Sequence, residues 1–251
     1  MKRSILAICF LFSLTNIIAQ DITEIIKEAN RLENIPSEKA ALEKYKQAFK
    51  LQSHNIHALN KCSELSSRIG KREPDEKKRV TYFQNAKNYA NAAIALQPNN
   101  SEAHCVMAIA LGCIALDGSN KEKVNAAKEI KKQADLSLKY DPNNYKAWHV
   151  LGRWHYEISN LNGIERAAIK VLFGGLPKSN YGEAVKAFEK AAAIKNFAAN
   201  YLEMAKAYKK NDQKDKAIAT LKSLMAFTEQ TEDDAALKAE GRKLLHQWQQ
   251  P

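Results

Sequence analysis

Histidine and cysteine are the residue types in this chain best able to hold a metal or act as a nucleophile, and their spacing decides whether they do. His149 and His155 stand six apart, His54 and His57 three apart, and His104 adjoins Cys105. A zinc pair on a helix needs both ligands on one face, commonly at i and i+4, with further ligands close by. None of these pairs meets that need, and His104 and His155 fall at positions where a helical repeat places large side chains. Gly174-Gly175 lacks the Lys-Ser/Thr of a phosphate-cradling loop and follows no strand pattern, so it reads as a helix stop. No serine or cysteine stands in a nucleophile motif. The expectation is a protein that is not an enzyme, with no catalytic, cofactor-binding or metal-ligating residue and no cofactor.

The elements that would have to position any site begin after a distinctive N-terminus. Lys2 and Arg3 precede an apolar run from Ile5 to Leu14, and Ile17-Ile18-Ala19-Gln20 precedes the first acidic residue, Asp21. That layout is a secretory signal peptide over 1–19, cut after Ala19, leaving 20–251 as one domain. The run is too short and too interrupted for a spanning anchor, and Cys9 lacks the small residue before it that a lipoprotein site wants. The location expected is periplasmic or secreted. Beyond residue 20, Cys62, Cys105 and Cys113 are an odd set that makes no disulfide framework. Cys105 and Cys113 would lie ~12 Å apart on one helix, too far to bridge, so all three read as small buried residues. The net charge of +11 favours acidic partners or an anionic membrane surface, but its lysines are interspersed with acids, as on solvated helix faces, and no nucleic acid is expected.

A repeat shows in the punctuation. Pro98-Asn99-Asn100-Ser101-Glu102-Ala103-His104 matches Pro142-Asn143-Asn144-Tyr145-Lys146-Ala147-Trp148, with Ser53-His54-Asn55-Ile56-His57-Ala58-Leu59 as a weaker copy. Proline stops one helix and Asn or Ser caps the next. Upstream of each break, and twice more beyond, comes a triplet at spacing four then three: Ala41, Tyr45, Ala48; Ala86, Ala90, Ala93; Ile130, Ala134, Ser137; Ala184, Phe188, Ala191; Ala217, Leu221, Leu224. Each triplet lies on one helical face, with mostly small residues where a neighbour must approach closely. Trp148, Leu151 and Gly152, and again Tyr201, Ala205 and Tyr208, fill the matching places of the partner helix. In these positions the chain resembles the tetratricopeptide repeat, which implies an all-α, right-handed helical solenoid of about twelve helices.

The departures from that pattern carry information. A plain unit spans ~34 residues, whereas the loop copies recur at 45 and 44, so the surplus must become longer helices or connections. Residues 151–177, LGRWHYEISNLNGIERAAIKVLFGGLP, run past one helix into a segment the repeat does not require. Asn162 with Glu165 three on is a capping box, Ile164, Ala167, Ala168, Val171 and Leu172 make one apolar stripe, and Gly174-Gly175 and Pro177 end it. An inserted helix is therefore expected near 162–173. Its stripe must pack on the outside of the stack or cover its groove, in which case Ile164, Val171 and Leu172 form a lid. The run 233–249, with Ala235, Leu237, Leu244, Leu245 and Trp248, reads as a C-terminal capping helix, and 21–32 protects the other end.

The block LGRWHYEISNLNGIERAAIKVLFGGLPKSNYGEAVKAFEKA, residues 151–191, resembles the hallmark segment of the regulator of microtubule dynamics family, and TEDDAALKAEGRKLLHQW, residues 231–248, is similar to its acidic-then-helical ending. The resemblance implies a helical-repeat protein without enzymatic activity; eukaryotic members are associated with microtubules or organelle membranes, and one with phospholipid transfer. A signal peptide would place this chain where no microtubules exist, so that function is not carried over. What remains is the concave face that such stacks present. Its candidates are Asn60, Glu64, Glu102, Val106, Ile109, His149, Arg153, Tyr156, Asn200, Glu203 and Met204. The expected function is a scaffold binding a protein or peptide partner there in the cell envelope. The alternative is a carrier of a lipid or other apolar ligand in the groove.

Overall fold

The computed structural model describes residues 22–250, and over them the chain forms twelve helices and no strand. They are α1 (22–34), α2 (Glu38–Leu51), α3 (Ile56–Arg72), α4 (Glu76–Leu96), α5 (Ser101–Leu116), α6 (Asn120–Tyr140), α7 (Tyr145–Asn160), α8 (Gly163–Phe173), α9 (Tyr181–Ile194), α10 (Ala198–Lys210), α11 (Lys214–Ala226) and α12 (Asp234–Gln249). Pairs α3/α4, α5/α6, α7/α9 and α10/α11 stack in order, with α1/α2 before them and α12 after them. Residues 1–19, where a signal peptide is expected, lie outside the described residues.

Local chemistry sets the units. Asn55, Asn100 and Asn144 each accept from the backbone N–H three residues on, at 2.9, 2.8 and 3.0 Å, and so start the first helix of a pair. The triplets face the stack as expected: their fifteen members are buried except Ile130, which is half-buried. Small residues there let helices approach to contact. An added Cβ at Gly152 of α7 would meet the Phe188 ring of α9 at 2.6 Å, so only glycine fits that crossing. The core is a chain of overlapping clusters, such as Ala108, Ala134, Val150, Leu151 and Ala187 joining α5, α6, α7 and α9, which is how a solenoid buries surface between neighbours. The repeat surplus goes into helix length: α4 and α6 have 21 residues each, α10 and α11 only 13.

The inserted helix forms with its capping box: Asn162 accepts from Glu165 N at 2.9 Å and Glu165 from Asn162 N at 2.8 Å. Gly174, at φ 74°, and Gly175, at φ 84°, end it in the left-handed region. The expectation that its stripe packs on the stack or closes the groove is not met. Ile164, Val171 and Leu172 are 84, 82 and 68% exposed, and no residue of α8 is buried. The reason is how the helix is held. Arg166 donates to the carbonyls of Ile158 and Leu161, and Lys128 of α6 donates to that of Phe173 at 2.5 Å, so α8 is moored by cations on backbone oxygens while its apolar face stays in solvent.

Candidate functional site: the inner face of the stack

Helices α3, α5, α7 and α10 lie side by side as the inner wall. The capping asparagines stitch that wall as well as starting its helices: Asn60 donates to Asn100 Oδ1 at 3.2 Å, and Asn144 donates to Ser101 Oγ at 3.0 Å and Glu102 Oε2 at 3.3 Å. Across them runs a line of ion pairs. Lys146 Nζ lies 2.8 Å from Glu64 and 2.7 Å from Glu102, while Lys61 lies 2.8 Å from Glu33 and 3.8 Å from Glu64. Burial alone would raise the Glu64 carboxyl, but Lys146 and Lys61 hold it well below the usual carboxylate range. The same pairing keeps the half-buried Lys146 ammonium charged. Such pairs, largely withdrawn from water, fix neighbouring units in register more than they stabilise them.

Toward the C-terminal end the wall opens into a hollow of about 460 Å³ lined by Arg153, Tyr156 and Glu157 of α7, Glu203, Lys206, Lys209 and Lys210 of α10, and Leu244 and Trp248 of α12. Glu203 pairs with Lys206 at 3.0 Å, and Arg153 sits 3.8 Å from Glu157. At the other end, Arg68 and Arg72 of α3 grip Glu38 of α2, whose side chain is 1% exposed, and also meet the loop before α12. Among the described residues, then, the inner face is polar and charged, with aromatic and aliphatic contributions concentrated at Tyr156, Leu244 and Trp248.

The structure sorts the expected residues. Glu102, Arg153, Tyr156 and Glu203 reach the inner surface, and Ile109 is half-buried against the α5/α6/α7 cluster. Four placements are corrected, Asn60 among them: Val106, Asn200 and Met204 are buried at 0, 0 and 7% exposure. Val106 packs with Ala90 and Met107, and Met204 with Phe188 and Tyr208. Asn200 spans the helix boundary, donating to Phe188 O at 3.1 Å and Asn196 Oδ1 at 3.2 Å and accepting from His149 Nδ1 at 3.0 Å. His149 is thereby a packing residue between the Phe188 and Phe197 rings, pushed down to about 4 by burial and so neutral near pH 7. Asn60 is buried too, and Glu64 is engaged by Lys146. The sequence reading missed Arg68 and Arg72, although Lys61, Glu64, Arg68 and Arg72 recur at i, i+3, i+7 and i+11 and so share a face. It also missed Lys206, Leu244 and Trp248, which come together only through the fold.

His104, His155 and the thiols are engaged within the fold. His104 lies between Gln133 Oε1 at 2.6 Å and Pro98 O at 2.8 Å, and His155 Nδ1 is 2.7 Å from Ser179 Oγ. Cys62, Cys105 and Cys113 are buried free thiols; burial pushes Cys62 up to about 12 and raises the other two, which disfavours a thiolate. No three His, Cys, Asp or Glu among the described residues are grouped to hold a metal ion.

A family model described as Regulator of microtubule dynamics protein 1-3 matches residues 25–249. Among curated proteins the chain is 29% identical to mouse Regulator of microtubule dynamics protein 1 over 189 residues, 74% of this chain and 61% of that protein. It is 28% identical to the Caenorhabditis elegans protein of that name over 186 residues, 73% of this chain and 80% of that one. It thus spans about three fifths of the length of the mouse and rat relatives, 61% and 60%. Among solved structures, a thermophilic TPR protein of Thermus thermophilus superposes with a TM-score of 0.65 at 13% identity, covering 90% of this chain and 99% of that one, which shows the tetratricopeptide-type fold. These relatives overturn the expected periplasmic or secreted location: they are animal proteins named as regulators of microtubule dynamics. The N-terminal argument failed because a short apolar run behind two basic residues is a compositional pattern that does not by itself name a compartment.

Proposed function

This chain belongs to the Regulator of microtubule dynamics protein 1-3 family, as segments 151–191 and 231–248 suggested, and on that premise we propose that it is a non-enzymatic scaffold that binds a protein or peptide through its inner face. The observation that carries this reading is the hollow between α7, α10 and α12. There Tyr156 and Trp248 stand beside Arg153, Glu203 and Lys206, and aromatic anchors within a polar rim are the composition of protein-contact surfaces. Apolar ligands need a mainly apolar cavity. The charged wall favours a protein or peptide over the lipid alternative.

The name these relatives carry makes microtubules the first partner to try. A photo-crosslinking amino acid at Tyr156, with polymerised tubulin added, is expected to give a crosslinked product that Arg153→Glu reduces at least about tenfold. A folded protein that crosslinks equally well with Arg153→Glu would overturn the assignment of this hollow.

A further inference from the structure

The loop 228–233 leaves α11 and crosses to the opposite end of the stack. Asp234 shapes it, accepting from Gln230 N at 2.8 Å, Thr231 N at 3.2 Å and Thr231 Oγ1 at 2.6 Å. The two preceding acids then point outward onto α2 and α3. Asp233 Oδ1 accepts from Arg72 at 2.5 Å, with Arg68 Nε 3.9 Å from its other oxygen. Glu232 accepts from Arg72 at 3.1 Å and, through its second oxygen, from the backbone N–H of Glu38 at 2.8 Å. That last bond matters because Ser37, the residue before α2, makes no side-chain cap; Glu232 satisfies a free helix N–H from 194 residues away in sequence.

The donors here are not all used without the loop. Arg68 and Arg72 face one buried carboxylate, Glu38, which both engage, and the next acid, Glu33, lies 4.0 Å from Arg68 but is taken by Lys61 at 2.8 Å. Without the loop, Arg72 Nη1 and the backbone N–H of Glu38 would lose the carboxylates they donate to, and the molecule fills both places with two adjacent acids of its own. We propose that Arg68, Arg72 and the N-terminus of α2 form a recognition site for an acidic segment bearing neighbouring carboxylates, and that residues 231–234 occupy it in cis. A partner with that chemistry competes with the loop, so the inner face of α3 is available only when the loop is displaced.

This deepens the reading of the inner face as a protein-binding surface, at residues other than those lining the Tyr156 hollow. The test uses the full chain with Glu232→Gln and Asp233→Asn together, and a fluorescent peptide of sequence TEQTEDDA, residues 228–235, read by anisotropy. The vacated variant is expected to bind the peptide at least about tenfold tighter than the unaltered chain, whose tethered loop competes at high effective concentration. Binding should weaken with salt. A control peptide, TEQTQNDA, should not bind. Equal binding of the two peptides, or no gain in a variant of unchanged helicity, would overturn the proposal, and neither outcome requires replacing an arginine that the fold itself uses. The Tyr156 crosslink reads the other hollow, so failure of either experiment leaves the other interpretable.

Discussion

His149 shows how a residue suited to chemistry is spent on packing. Its ring lies 5.0 Å from that of Phe197 and 5.4 Å from that of Phe188, and burial holds its proton affinity down to about 4 from an ordinary 6.5. A base whose folded value is depressed is bound by a proton more readily in the unfolded chain, so stability present above about pH 6.5 is lost as pH falls toward 4. The expected loss from this residue is about 2 kcal/mol between pH 7 and pH 5. Urea unfolding of the parent and of His149→Gln at both pH values measures it; His57 and His155, also depressed, contribute equally to both proteins. Matching pH dependence in the two would show that His149 is not the group responsible. The sequence made the repeat positions legible at this scale but not the sector each inner helix exposes. Helix α5, SEAHCVMAIALGCIAL, is apolar on most sides, so nothing in its text distinguishes buried Val106 from accessible Glu102 beyond polarity. Asn200 lies off the repeat's packing positions, which points it to the concave face, yet its amide is consumed by three protein partners.

At the scale of elements, helix boundaries were readable because caps are local. Asn55, Asn100, Asn144 and Asn162 announce their helices within four residues. What a helix packs against is not local, and α8 is the case in point: a stripe at spacings three, four, seven and eight ordinarily means burial, but here the helix is moored through Arg166 and Lys128 with its stripe outward. Ile164→Ser, Val171→Ser and Leu172→Ser together are therefore expected to change unfolding stability by no more than about 0.5 kcal/mol. The single change Val106→Ser, inside the core, should cost about 3 kcal/mol. Thermal or urea unfolding of the two variants checks the contrast, and a large loss in the triple variant would mean that the stripe is buried in solution.

The whole molecule adds a contribution that no unit contains. In a solenoid each repeat touches its neighbours, so stability is close to a sum of local contributions and one end has little knowledge of the other. Here Glu232 and Asp233 reach Glu38, Arg68 and Arg72 across 160 or more residues, tying the last helix to the first units. No repeat pattern could have shown this, because it joins residues 160 or more apart and follows no spacing along the chain. The pairs are partly exposed, with Arg72, Glu232 and Asp233 side chains 28, 34 and 29% accessible, so each should contribute about 1 kcal/mol or less and yield to salt. Their loss should be felt at the ends alone. In Glu232→Gln with Asp233→Asn, backbone hydrogen exchange is expected to quicken in α1, α2 and α12 while α5 to α7 keep their protection, and high salt should produce the same pattern in the unaltered chain. Exchange that rises evenly along the stack would mean that the tie supports global stability, and unchanged exchange at the ends would mean that neighbour packing already holds them without it.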